Sequence, residues 1–124
     1  ENLAADGWAG TSPAGSFPAN GYGLHDLIGN VWEWTRDWWS TAPGQAAARP
    51  CCAPLNPRGG PKSASFDAAD PLHIPRKTLK GGSFLCAPSY CRRYRPAARH
   101  AQAIDTSTSH IGFRCVSRRP GPAG

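Results

Sequence analysis

The hydrophobic and polar positions of this chain form readable patterns in a few short stretches separated by glycine and proline. Val31–Trp38 reads as a strand. Trp32 and Trp34 share one face, and Val31, Glu33 and Thr35 share the other. The tryptophans are read as core packing rather than as an aromatic binding platform. Just upstream, Leu24–Ile28 predicts a short helix closed by Gly29 or Asn30, residues suited to a helix C-terminus. Lys77–Ser83 reads as a second strand, entering a loop through Gly81 and Gly82. Tyr94–Arg99 forms another short element, and Ile104–Ser109 is polar loop. His110–Val116 reads as a closing strand with Ile111, Phe113 and Cys115 on its inward face, which makes Cys115 a buried, inert thiol. Residues 1–20 form an extended loop anchored by Trp8 and Phe17. Residues 40–76 are a long irregular segment of the kind that is usually functional or mobile. There is no internal repeat.

Composition narrows this picture. The chain has 124 residues, enough for one small domain, and carries 14 glycines and 13 prolines. With five tryptophans it reads as loop-rich and poor in long helices rather than as disordered. No apolar run is long enough to span a membrane. The net charge of +6 permits acidic partners, but the basic residues are spread over the second half without a nucleic-acid signature, so no nucleic-acid partner is expected. The first residue is Glu, not Met, and no signal peptide is visible, which reads as a fragment or processed product. The odd count of five cysteines leaves at least one unpaired, and adjacent Cys51 and Cys52 default to two separate thiols. This usage favours a reducing compartment and a cytoplasmic location.

The candidate chemistry centres on Gly81–Cys91, GGSFLCAPSYC. Cys86 and Cys91 lie five positions apart with Pro88 between them, so a loop is favoured over a helix through both thiols. Arg92, Arg93, Arg95 and Arg99 follow, and nearby positive charge raises the thiolate fraction of a cysteine. From the residues alone, a structural disulfide, packed thiols, a metal pair and a redox pair all remain open; a four-cysteine zinc pattern is absent.

Three blocks then carry a resemblance: NGYGLHDLIGNVWEWTRDWW, KGGSFLCAPSYCRRYRPAAR and DTSTSHIGFRCV, in that order. Together they resemble the C-terminal part of the formylglycine-generating enzymes, or sulfatase-modifying factors. The resemblance implies an α+β, C-type-lectin-like fold of low regular content, with residues 1–124 as the C-terminal part of a single domain. It implies an oxidoreductase that uses copper and molecular oxygen to convert a sulfatase cysteine, in a CxPxR-type segment, to Cα-formylglycine. Cys86 and Cys91 would bind Cu(I), a soft ion that prefers thiolates. Ser83 would share their pocket as a hydrogen-bonding hydroxyl, and His110 would stand at a further active-site position. The resemblance also implies calcium, held by the carboxylates of Asp26 and Glu33 and the carbonyls of Gly29 and Val31. A second calcium site would use Asp6 and the carbonyl of Trp8, its other ligands lying before residue 1.

The chain departs from the family in several places. Ala87 and Pro88 stand where well-known members have His and a polar residue. His110 replaces an Asn, and Asp26 stands where Asn is commoner. The N-terminal half of the family domain is missing, which leaves open whether the chain acts alone. Two other function classes share the fold: the iron-dependent sulfoxide synthases of ergothioneine biosynthesis, and non-catalytic C-type-lectin-like binding modules. In some relatives the residue matching Cys115 forms a disulfide with an upstream cysteine. Cys51 and Cys52 match nothing in the better-known members.

Overall fold

The structure is a computed structural model and describes residues 4–41, 59–86 and 91–117. Four strands form one mixed sheet in the order β3-β2-β1-β4. They are β1 (Trp32–Trp38), β2 (Arg76–Lys80), β3 (His100–Ala103) and β4 (Ile111–Gly112). β1 is rich in aromatic residues, which suit a pleated, half-buried surface. It pairs antiparallel with β2, Glu33 opposite Lys80 and Trp34 opposite Leu79, and its register shifts before Trp38 meets Lys77. β2 pairs antiparallel with β3 from Arg76–Ala103 to Leu79–His100. β4 joins the other edge of β1 in parallel, Trp32 opposite Ile111.

Among the described residues, the buried hydrophobic centre consists of Trp32 and Leu79, 4% and 0% exposed. Trp32 stacks on the His100 ring at a centroid distance of 5.5 Å. Its N–H donates to the His110 carbonyl at 2.8 Å, which fixes the start of β1 beside the approach to β4. The expectation for the tryptophan-bearing strand therefore holds to within one residue, with Trp32 as its buried member.

Other expectations are corrected. No helix forms over Leu24–Ile28. The Asn20 side chain accepts the N–H groups of Tyr22 and Leu24 at 2.9 and 3.1 Å, and Asp26, Gly29 and Asn30 take positive φ values of 53°, 84° and 57°. A left-handed backbone at those positions cannot propagate a right-handed helix. The closing strand is only Ile111–Gly112 long. Beyond it Arg114 turns to Glu33, Phe113 is 76% exposed, and Cys115 is exposed rather than buried. Trp8 and Phe17 also lie on the surface and do not act as buried anchors. Residues 92–98 form successive turns, and the strand follows them as β3.

The segment read as irregular, 40–76, is tethered in its second part. A short 3-10 turn spans Lys62–Ala64, and Gly60 bridges to Trp38. Ser65 is fully buried; the Arg76 guanidinium reaches the Ser65 and Phe66 carbonyls at 3.1 and 3.2 Å and Asp67 at 2.9 Å. Cys51 and Cys52 lie outside the described residues. Among the described residues regular structure is sparse, and no helix is long and apolar enough to cross a membrane.

Candidate active site

The thiol loop begins where β2 stops. Gly81 and Gly82 both adopt positive φ, 93° and 75°. A Cβ on Gly82 would sit 2.8 Å from the Tyr94 Cα and 2.9 Å from its N, so only glycine lets the two loop segments approach this closely. Ser83 follows, 3% exposed; its carbonyl accepts the Cys86 N–H at 2.9 Å and its hydroxyl accepts the Leu85 N–H at 3.3 Å. On the facing segment, the Lys80 ammonium donates to the carbonyls of Pro96 and Ala98, holding the arginine-rich turn against the end of β2.

These constraints bring the Sγ atoms of Cys86 and Cys91 to 3.3 Å. Both thiols are half-buried and neither forms a disulfide. They are not equivalent. Burial pushes the Cys86 thiol up, and its contact with Cys91 adds to this against the opposing pull of Ser83. Burial also works against ionisation of Cys91, but the Arg93 N–H, the Cys86 thiol and the Arg93 charge together outweigh it and leave its pKa lowered. Cys91 is thus the more acidic thiol of the pair and Cys86 the less acidic one. One low-pKa sulfur beside a second thiol is a reactive site, and two adjacent sulfurs form a donor set for a soft metal ion.

Ser83, Cys86 and Cys91 are brought together. His110 is placed beside the start of β1 rather than against the thiols: its carbonyl fixes Trp32, and its charge acts on His100. Ala87 and Pro88 lie outside the described residues. Two residues beyond the expected set join the neighbourhood, Arg93 and His100. Burial lowers the His100 pKa, and the charges of Arg93 and His110 lower it further. Arg93 therefore acts on Cys91 and His100 alike. Its place in the arginine run was visible in the sequence; the partner ring of Trp32 was not.

The acidic turn lies behind this loop and is tied to it. Gly29 N–H donates to the Gly81 carbonyl at 2.8 Å, and Phe84 N–H donates to the Asn30 carbonyl at 2.9 Å. Asp26, Val31 and Glu33 line one cleft, together with Gly15 and Arg114. Asp26 accepts the Gly15 N–H at 2.7 Å. Arg114 donates to both Glu33 oxygens, through Nε at 2.6 Å and through Nη2, and Nη2 also reaches the His25 and Asp26 carbonyls at 3.0 and 3.4 Å. The guanidinium is a stand-in cation on this oxygen-rich turn, so the donor chemistry suits a positive ion. At the other proposed cation position, Asp6 is exposed and accepts the Trp8 N–H at 3.0 Å. Among the described residues no three His, Cys, Asp or Glu side chains cluster as a metal centre; the thiol set and the Asp26/Glu33 set each rest on two such side chains, and the Asp6 set on one.

Comparison with known proteins gives this geometry a context. Over 117 residues the chain is 56% identical to a "Formylglycine-generating enzyme" of Mycobacterium tuberculosis, covering 94% of the chain and 36% of that protein. It is 40% identical over 116 residues to a "Formylglycine-generating enzyme" of Bos taurus, covering 94% of the chain and 26% of that protein. It is also 32% identical over 124 residues to an "Inactive C-alpha-formylglycine-generating enzyme 2" of Bos taurus, covering 98% of the chain and 31% of that protein. The chain thus spans between about a quarter and somewhat over a third of the length of these relatives. The family model for the Sulfatase-modifying factor enzyme 1-like domain matches residues 2–119. With nearly its whole length matched, the chain belongs to the sulfatase-modifying factor enzyme 1-like family.

Proposed function

We propose that this chain carries the thiol pair of an oxidase that converts a cysteine of a sulfatase, within a CxPxR-type segment, to Cα-formylglycine. It does so as the C-terminal part of one C-type-lectin-like domain. The observation that carries this reading is the approach of Cys86 and Cys91 to 3.3 Å with unequal acidity. Cys86 and Cys91 would hold Cu(I), which supplies affinity for a third thiolate and a route for electrons to O2. Cys91, whose pKa is lowered by Arg93 and the Cys86 thiol, is the readier ligand, and Cys86 is the harder of the two to deprotonate. Ser83 holds Cys86 in place through its carbonyl, and its hydroxyl also hydrogen-bonds to the Cys86 thiol. Replacing a thiol by an aldehyde oxygen withdraws two electrons from Cβ and releases sulfide. Dioxygen accepts four, so a thiol reductant supplies the other two. Asp26 and Glu33, with the Gly29 and Val31 carbonyls, would take calcium and brace the turn that hydrogen-bonds the thiol loop.

The test is an intact-mass assay on a CxPxR peptide with O2, Cu(I) and a thiol reductant, using the chain and a longer protein containing it. Formylglycine formation that disappears with Cys86→Ser or Cys91→Ser is expected. Turnover that survives both substitutions sinks the proposal. The relative named as inactive favours a second reading, a non-catalytic binding module. That reading predicts no stoichiometric Cu(I) binding sensitive to Cys86→Ser.

A further inference from the structure

The cleft beside the acidic turn has a volume of about 500 Å³ and is floored by Val31, Glu33 and Gly112. Arg114 closes it chemically. Its guanidinium makes a two-pronged contact with Glu33, whose side chain is 19% exposed, and its Nη2 is shared with the carbonyls of His25 and Asp26. Nearby Asp26 and the Glu33 hydrogen bond both stabilise its charge, the latter more strongly. A guanidinium stays protonated throughout the physiological range, so this positive charge cannot be titrated away. Its forked donors match a carboxylate bidentately and thus occupy the face of Glu33 that a divalent ion would use for bidentate ligation. Two cations cannot share that carboxylate at close range without mutual repulsion.

We infer that Arg114 is the resident counter-cation of this turn, and that calcium loads by displacing the guanidinium from Glu33. This rests on the calcium reading of the same donors. Arg114 then sets the calcium affinity: ion entry exchanges one link, between Arg114 and the 25–26 turn, for another, between the ion and Glu33. The exchange also frees the segment after β4 from the turn that supports the thiol loop.

Isothermal titration with calcium, on the full chain after chelator treatment, tests this. Arg114→Gln, which removes the charge and keeps a hydrogen-bond donor, should bind calcium about ten-fold or more tightly than the wild type. Arg114→Lys, which keeps the charge, should remain close to wild type. A second readout needs no variant. In the wild type, the Arg114 Nε–H resonance should lose its hydrogen-bonded shift as calcium saturates. Equal or weaker binding by Arg114→Gln, or an unchanged Nε–H resonance at saturation, overturns the exchange while leaving calcium binding intact. No calcium binding by any of the proteins at millimolar concentration overturns both the exchange and the calcium reading.

Discussion

At the scale of single residues, the chemistry is an asymmetry between two sulfurs. Cys86 and Cys91 share one S···S contact, yet burial and the Cys91 contact raise one pKa while Arg93 helps to lower the other. A thiolate is the reactive form, so the difference reads out directly as rate. Peptide-resolved alkylation near neutral pH should label Cys91 before Cys86. The Cys91 rate should level off at lower pH than that of an ordinary thiol. The Cys86 rate should still climb above that pH. Arg93→Gln should slow Cys91 and shift its profile to higher pH. Faster labelling of Cys86 at every pH would contradict this assignment. The exposure of Cys115 means that its own labelling cannot serve as a slow internal standard.

Elements position that pair through two glycines more than through any regular strand. β2 delivers Gly81 and Gly82 at positive φ, and the close approach of Gly82 to Tyr94 sets the spacing between the Cys86 and Cys91 segments. Gly82→Ala should therefore cost more than Gly15→Ala. Gly15 has a φ of 80°, but a methyl group there would meet nothing within 4 Å, so its replacement costs only the left-handed penalty, about 1–2 kcal/mol. Gly82→Ala adds a backbone collision and should exceed that value in urea denaturation, as well as weaken the contact between the two thiols. Equal costs at the two positions would show that the 94 segment simply moves away. The element scale also explains what the sequence could reveal. The aromatic and β-branched run of β1 declares itself, because its pattern reflects burial on one face. The failed helix at 24–28 has suitable residues, but Asn20 takes the Leu24 N–H into a turn and Asp26 turns left-handed. The brevity of β4 was hidden because alternation at Ile111, Phe113 and Cys115 continues in the sequence after pairing has stopped. The cysteine pair was legible from its spacing and its arginines; the Arg114 contact with Glu33 was not, since it joins residues far apart in the chain.

For the whole molecule, the amount of apolar surface left open is less informative than how the sheet is closed. Trp32 and Leu79 are the buried hydrophobic residues among those described, while Tyr22, Leu72, Phe113 and Val116 are each at least 76% exposed. A core this small contributes only about 1.5–3 kcal/mol for each large side chain fully buried. The sheet thus depends on its pairing order, in which the first strand in sequence receives its outer neighbour from the last. That order has a consequence for the chain while it is being made. During synthesis at about 5–20 residues per second, β1 leaves the ribosome on the order of ten seconds before Ile111 and Gly112 can cover its edge. For that interval β1 presents unpaired backbone groups beside three tryptophans, the kind of edge that recruits other chains. A chain ending at Ser109 would make the interval permanent. It should scatter light and bind chaperone during translation, whereas a chain ending at Ser117 should not; equal solubility of the two would mean that the newborn edge is protected by other means.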